Sequence, residues 1–112
     1  MTPLVARSFA YCDRLARREA GNFYPAFRVL PRDQRLAMCA LYAFLRVTDD
    51  IGDSSRPVAE KRTALADWRH RFGRALTGEY THRLYAAFHR TVEQYRVPRN
   101  LVRSGFSHNF TR

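Results

Sequence analysis

The chain has 112 residues, enough for one domain or part of one. Its 46% hydrophobic and 13% aromatic content excludes a disordered chain, and no run approaches the ~18 apolar residues of a membrane span. The formal net charge is +10, carried almost wholly by arginine because Lys61 is the only lysine.

The pattern predicts helices throughout, with no strand-like alternation and no repeat. A first helix spans about Leu4 to Glu19, with Val5, Phe9, Cys12, Leu15 and Ala16 on one stripe and Gly21-Asn22 ending it. Phe23-Tyr24-Pro25-Ala26-Phe27 reads as a short aromatic connector of about one turn, since Pro25 breaks a longer helix. Pro31 fits the first turn of a second helix reaching about Ile51. Leu36, Ala40, Ala43, Val47 and Ile51 form one apolar row on it, and Ala37, Leu41 and Phe44 a second. A helix so covered belongs at the centre of a bundle, and its one polar row, Tyr42, Arg46, Asp49 and Asp53, is expected to face a cavity.

A third helix is predicted from near Pro57 to about Leu76, with Leu65, Trp68, Phe72, Ala75 and Leu76 inward. A fourth spans about Thr81 to Arg96, with Leu84, Phe88, Val92 and Tyr95 inward, and Pro98 opens a fifth. Residues 1–102 read as one partial domain. The tail 103–112 lacks helical periodicity and is rich in turn formers.

The acidic string Asp49-Asp50-Ile51-Gly52-Asp53 stands out chemically. On a helix these carboxylates share a face, where they repel each other and oppose the C-terminal end of the dipole. A resident hard cation with oxygen ligands, Mg²⁺ in particular, would remove that conflict; a solvated acidic patch or cap is the plainer reading. Arg46, one turn earlier, either neutralises Asp49 or binds phosphate oxygens. Tyr42 offers a hydroxyl and an aromatic face, or is a plain core tyrosine. Phe23, Tyr24 and Phe27 line a pocket or staple two helices, and Asn22 is by default a helix cap.

Cys12 and Cys39 make no zinc pattern and read as buried thiols of a reducing cytoplasm. His70, His82, His89 and His108 form no metal pattern, and His82 and His89 are expected at the surface. The N-terminus carries no signal peptide, so the expected location is cytoplasmic, with peripheral contact to the inner face of a membrane left open. The scattered arginines form no basic block, so they are read first as solvated faces and second as a field for polyanions. No nucleic-acid partner is expected.

The order of these elements is specific. Tyr11-Cys12, Asn22 to Pro31, Arg35 to Arg46 and Asp49-Asp50-Ile51-Gly52-Asp53 together closely resemble the N-terminal part of the squalene and phytoene synthases. The resemblance covers about Tyr11 to Val102. It implies an all-α isoprenoid synthase bundle in which two farnesyl or geranylgeranyl diphosphates condense head to head. The product is presqualene diphosphate and then squalene, with NADPH, or phytoene without it, and Mg²⁺ (or Mn²⁺) holds the diphosphates. It assigns Asp49, Asp50 and Asp53 to the first metal motif, Arg46 to the diphosphate and Tyr42 to the reacting carbons. Asn22, Phe23 and Phe27 match the flap over the substrate.

Family members are more than twice as long and carry a second aspartate-rich motif that is missing here. The expectation is therefore an incomplete version of the enzyme, whose helices expose apolar faces and self-associate. A non-catalytic helical module derived from such an enzyme is the alternative.

Overall fold

A computed structural model describes residues 1–98. Every regular element among them is helical: α1 (Pro3–Glu19), a 3₁₀ turn (Gly21–Phe23), α2 (Tyr24–Arg28), α3 (Arg32–Gly52), α4 (Val58–Ala75) and α5 (Tyr85–Gln94). The fifth helix expected after Pro98, the 102/103 domain boundary, His108 and the tail lie outside the described residues.

α1 starts on Thr2, whose side-chain oxygen accepts the Val5 N–H at 3.3 Å, with Pro3 in the first position. The expected stripe is its inner face: Phe9, Cys12, Leu15 and Ala16 are buried and Val5 is half-buried. Gly21 takes φ +57°, a left-handed conformation that lets the chain leave α1 and turn at once into the connector. That connector is the single aromatic turn α2. Its Tyr24 hydroxyl donates to Asp13 Oδ1 at 2.6 Å, and Arg17 donates to Asp13 Oδ2 at 3.2 Å, so α2 is tied back onto α1.

α3 is the central element, packed against α1, α2, α4 and α5. Ala37, Cys39, Ala40, Ala43, Phe44 and Thr48 are buried on it. It is less completely wrapped than its composition predicts, because Leu45 is 56% exposed and Met38 is also exposed. Phe44 is the hub of the core. Its ring stacks on Phe88 at 4.3 Å and lies 5.2 Å from Phe72 and 6.2 Å from Trp68, joining α3, α4 and α5. Trp68 Nε1 donates to Thr48 Oγ1 at 2.8 Å, and Thr48 Oγ1 in turn donates to the Phe44 carbonyl at 2.7 Å. This buried chain locks α4 to the last turns of α3.

α4 matches its expected bounds and inward set, with Leu65, Trp68, Phe72, Ala75 and Leu76 all buried. The fourth predicted helix is shorter than its pattern. It begins at Tyr85 because side-chain bonds capture the preceding backbone as a turn: Arg71 donates to Thr81 Oγ1 and to the Thr81 carbonyl, and His82 Nδ1 accepts the Leu84 N–H. It ends at Gln94, with Arg96 at φ +51°, and Tyr95 is exposed rather than inward. Ser8 ties α1 to this region by donating to the Arg83 carbonyl at 2.6 Å and accepting from the buried Ala87 N–H at 2.8 Å.

Candidate functional site

Tyr42, Arg46, Asp49 and Asp50 occupy the last three turns of α3 and Asp53 caps it, with the Phe44 hub and the Thr48–Trp68 bond holding the helix in the core. Tyr42, Arg46 and Asp49 are half-buried, while Asp50 and Asp53 are exposed. Arg46 is the organising side chain. Its Nε lies 3.2 Å from Asp50 Oδ1, one turn on, and its Nη2 lies 3.3 Å from Glu19 Oε2 at the end of α1. The Asp50 charge first, then Tyr42 and Glu19, hold the guanidinium above its ordinary pKa. The Nε contact lacks hydrogen-bond alignment, so this shielded donor has no hydrogen-bond partner among the described residues.

Below Arg46 the site turns aromatic. Phe27 on α2 meets the Tyr42 ring edge-on at 6.3 Å, and Tyr24 meets Phe27 at 6.5 Å. The structure thus brings Phe27 to Tyr42 but leaves Asn22 and Phe23 on the exposed 3₁₀ turn, with Phe23 71% exposed. The connector is a staple through Tyr24 and Phe27 and an open edge through Asn22 and Phe23.

The donor set fits a hard cation in type, since Asp49, Asp50 and Asp53 offer only oxygen. Asp50 faces Arg46, and Asp53 is the C-cap of α3, its N–H bonded to the Asp49 carbonyl at 2.7 Å. Among the described residues no three carboxylates, imidazoles or thiols gather closely enough to hold a metal ion. The acidic row offers donors of the right kind but does not by itself gather them around one point among the described residues.

Glu19 was not legible as a site residue. It ends α1 as one more charged residue in Arg17-Arg18-Glu19, and only the packing of α1 on α3 delivers it to Arg46. Two histidines differ from their expected surface placement. His82 is half-buried against the rings of Tyr11, Trp68 and Tyr85, and His89 is half-buried between the Tyr80 hydroxyl at 2.7 Å and Glu93 at 2.8 Å. The two cysteines are free and buried. Burial, with Cys39 adding to it, pushes the Cys12 thiol up to about 12, and burial and then Asp13 push Cys39 up to about 11. No described helix is long and apolar enough to cross a membrane.

The sequence is similar to known proteins over part of its length. It is 50% identical over 48 residues to a presqualene diphosphate synthase of Rhodopseudomonas palustris, covering 43% of this chain and 17% of that protein. It is 42% identical over 62 residues to a presqualene diphosphate synthase of Zymomonas mobilis, covering 54% of this chain and 21% of that one. It is 34% identical over 61 residues to a phytoene synthase of Mycobacterium tuberculosis, covering 54% and 20%. The chain thus spans about one-fifth of the length of the curated relatives it matches. No solved structure matches it significantly. The squalene/phytoene synthase family model matches residues 16–105, a stretch that contains α2, α3 with its polar row, α4 and α5, and the chain belongs to that family.

Proposed function

We propose that this chain supplies the diphosphate-binding face of a head-to-head prenyltransferase of isoprenoid biosynthesis, one that joins two farnesyl or geranylgeranyl diphosphates. The observation that carries the reading is the gradient along one side of α3, from the Phe27–Tyr42 aromatic pair through Arg46 to the aspartates. An allylic diphosphate needs both ends of that gradient: charge neutralisation at its head and an apolar, aromatic wall for its hydrocarbon.

In this reading Arg46 binds diphosphate oxygens through its guanidinium fork, releasing Glu19 or Asp50 as it does so. Its unaligned Nε donor supports the assignment. Tyr42 and Phe27 hold the first carbons of the prenyl chain and exclude water from them. Asp49, Asp50 and Asp53 would hold Mg²⁺, which, when bound, supplies Lewis-acid stabilisation of the departing diphosphate. Further oxygen ligands must complete that shell, since the acidic row does not by itself gather its donors around one point among the described residues. NADPH enters only where squalene is the final product.

Equilibrium binding of farnesyl diphosphate to the purified chain, with and without Mg²⁺, tests this reading. Binding that needs Mg²⁺ and is lost in Asp49→Asn and Arg46→Gln is expected. Binding indifferent to the metal and to both substitutions would overturn it. Product analysis with radiolabelled substrate then asks whether the chain alone forms a C30 or C40 product. The exposed Phe23, Val29, Met38 and Leu45 favour a second reading, a helical module that acts by packing against another polypeptide. Concentration-dependent self-association, with no diphosphate binding, would select it.

A further inference from the structure

A concentration of positive charge lies on α1, away from the acidic row. A cleft of about 540 Å³ is lined by α1 from Leu4 to Arg14, including Arg7, Ser8 and Tyr11, and by the α4–α5 loop and start of α5, including His82 and Arg83. It shares no residue with the acidic row. Along α1, Glu19 lies twelve positions beyond Arg7 and five beyond Arg14, about 18 and 7.5 Å at the rise of an α-helix.

What sets this cleft apart from the other arginine-lined hollow, where Arg17, Arg28, Arg32 and Arg35 surround Asp13, is that no carboxylate lies among its arginines. Arg17, Arg18, Arg46, Arg71 and Arg74 each have a carboxylate within ion-pair distance. Arg7, Arg14 and Arg83 have none among the described residues, and no acidic residue lines the cleft. Three guanidinium groups around one concavity repel each other, and an anion between them would relieve the repulsion. The walls are also organised. Arg83 sits over the Tyr11 ring at 5.9 Å, and the His82 ring meets Tyr11 edge-on at 5.8 Å. The loop is pinned by Arg71 on Thr81 and by Ser8 on the Arg83 carbonyl.

His82 adds a directional donor. Its Nδ1 accepts the Leu84 N–H at 3.1 Å, which in the neutral ring places the proton on Nε2. Burial, Arg71 and Arg83 all lower its pKa, so the neutral ring prevails near neutral pH. The Nε2–H has no hydrogen-bond partner among the described residues. Guanidinium forks and a ring N–H match the oxygens of a phosphate, and Leu4, Tyr11 and Ala86 give the same cleft an apolar side.

We propose that the cleft between the Leu4–Arg14 stretch of α1 and the α4–α5 loop binds a phosphate monoester, through Arg7, Arg14, Arg83 and His82. Such a group is carried by small organic phosphates and by the headgroup of phosphatidic acid. The test uses the full 112-residue chain, with divalent cations chelated so that the acidic row is not engaged. Glycerol 3-phosphate is titrated in solution, and binding is also measured to phosphatidylcholine vesicles with and without phosphatidic acid. Two variants each remove three arginines that have no carboxylate within ion-pair distance among the described residues: Arg7→Gln/Arg14→Gln/Arg83→Gln in the cleft, and Arg28→Gln/Arg32→Gln/Arg35→Gln elsewhere; circular dichroism verifies their folding.

The proposal expects saturable binding that weakens about tenfold or more in the cleft variant, the loss of at least one charge-assisted contact, and changes little in the other. The ring signals of His82 move during the titration. The same pattern confined to phosphatidic acid vesicles assigns the group to a lipid headgroup, and confined to glycerol 3-phosphate, to a soluble ligand. Equal loss in both variants would reduce the effect to net charge and overturn the proposal. So would an unmoved His82, or binding of neither probe.

Discussion

Thr48→Val removes one hydroxyl at nearly constant volume from the residue directly before Asp49. Thr48 is 3% exposed and Trp68 is 2% exposed, so the indole N–H that Thr48 accepts at 2.8 Å has no access to water. Losing the acceptor strands that donor at a cost of about 1–3 kcal/mol. Converted at the slope for a domain of roughly this size, the melting temperature falls by about 4–20 °C. In urea the midpoint falls while the slope holds, because the same surface is exposed on unfolding. Trp68→Phe, which removes the donor too, closes a double-mutant cycle: the cost of Thr48→Val should shrink in that background by about 1 kcal/mol or more. A Thr48→Val chain as stable as the parent, or an equal cost in both backgrounds, would refute the claim that this bond ties α4 to the functional end of α3.

Three further outcomes follow from the geometry. Ser8→Ala strands the buried Ala87 N–H and loosens the α1–α5 contact, and a loss of about 1–3 kcal/mol by urea titration is expected; no loss would mean that water replaces the hydroxyl. Arg46→Gln leaves the melting temperature little changed, because its ion pairs are open to solvent, yet abolishes diphosphate binding; a large loss of stability with unchanged binding would make Arg46 structural. The thiols carry a pH dependence of definite sign. Cys12 and Cys39 ionise in the fold only near about 12 and about 11, against 9.0 ordinarily, so the folded state holds their protons more tightly than the unfolded chain. Their contribution is complete below pH 9 and is lost as pH rises from 9 toward 11–12. Urea midpoints across that window should fall less steeply in Cys12→Ala, and an equal slope would count against buried neutral thiols.

The core was legible where one helix face did all the work. The α1 stripe and the α4 inward set needed only a 3.6-residue period and the Pro and Gly positions that bound them. The acidic row was legible as an anomaly, three like charges at the wrong end of a helix dipole. What stayed hidden depends on contacts between elements distant in sequence. Glu19 reaches Arg46 only because α1 packs on α3. Thr48 carries no local sign of its partner, because Trp68, which donates to it, lies twenty residues away. The start of α5 was misplaced because Arg71, from α4, captures Thr81, and no local pattern at 81–84 signals that competition. His82 and His89 were put at the surface for the same reason, since their partners lie on the α4–α5 loop and on neighbouring helices.

The central claim is that the polar side of α3 handles a prenyl diphosphate together with a divalent cation. Calorimetric titration of the 112-residue chain with farnesyl diphosphate, at constant ionic strength with Mg²⁺ and then with chelator, tests it most directly. The account predicts saturable binding in Mg²⁺ that disappears with chelator, with Asp49→Asn and with Arg46→Gln, while Arg7→Gln/Arg14→Gln/Arg83→Gln leaves it intact. Binding that survives chelation and the α3 substitutions, or that is lost only with the three arginines of the α1 cleft, would contradict it.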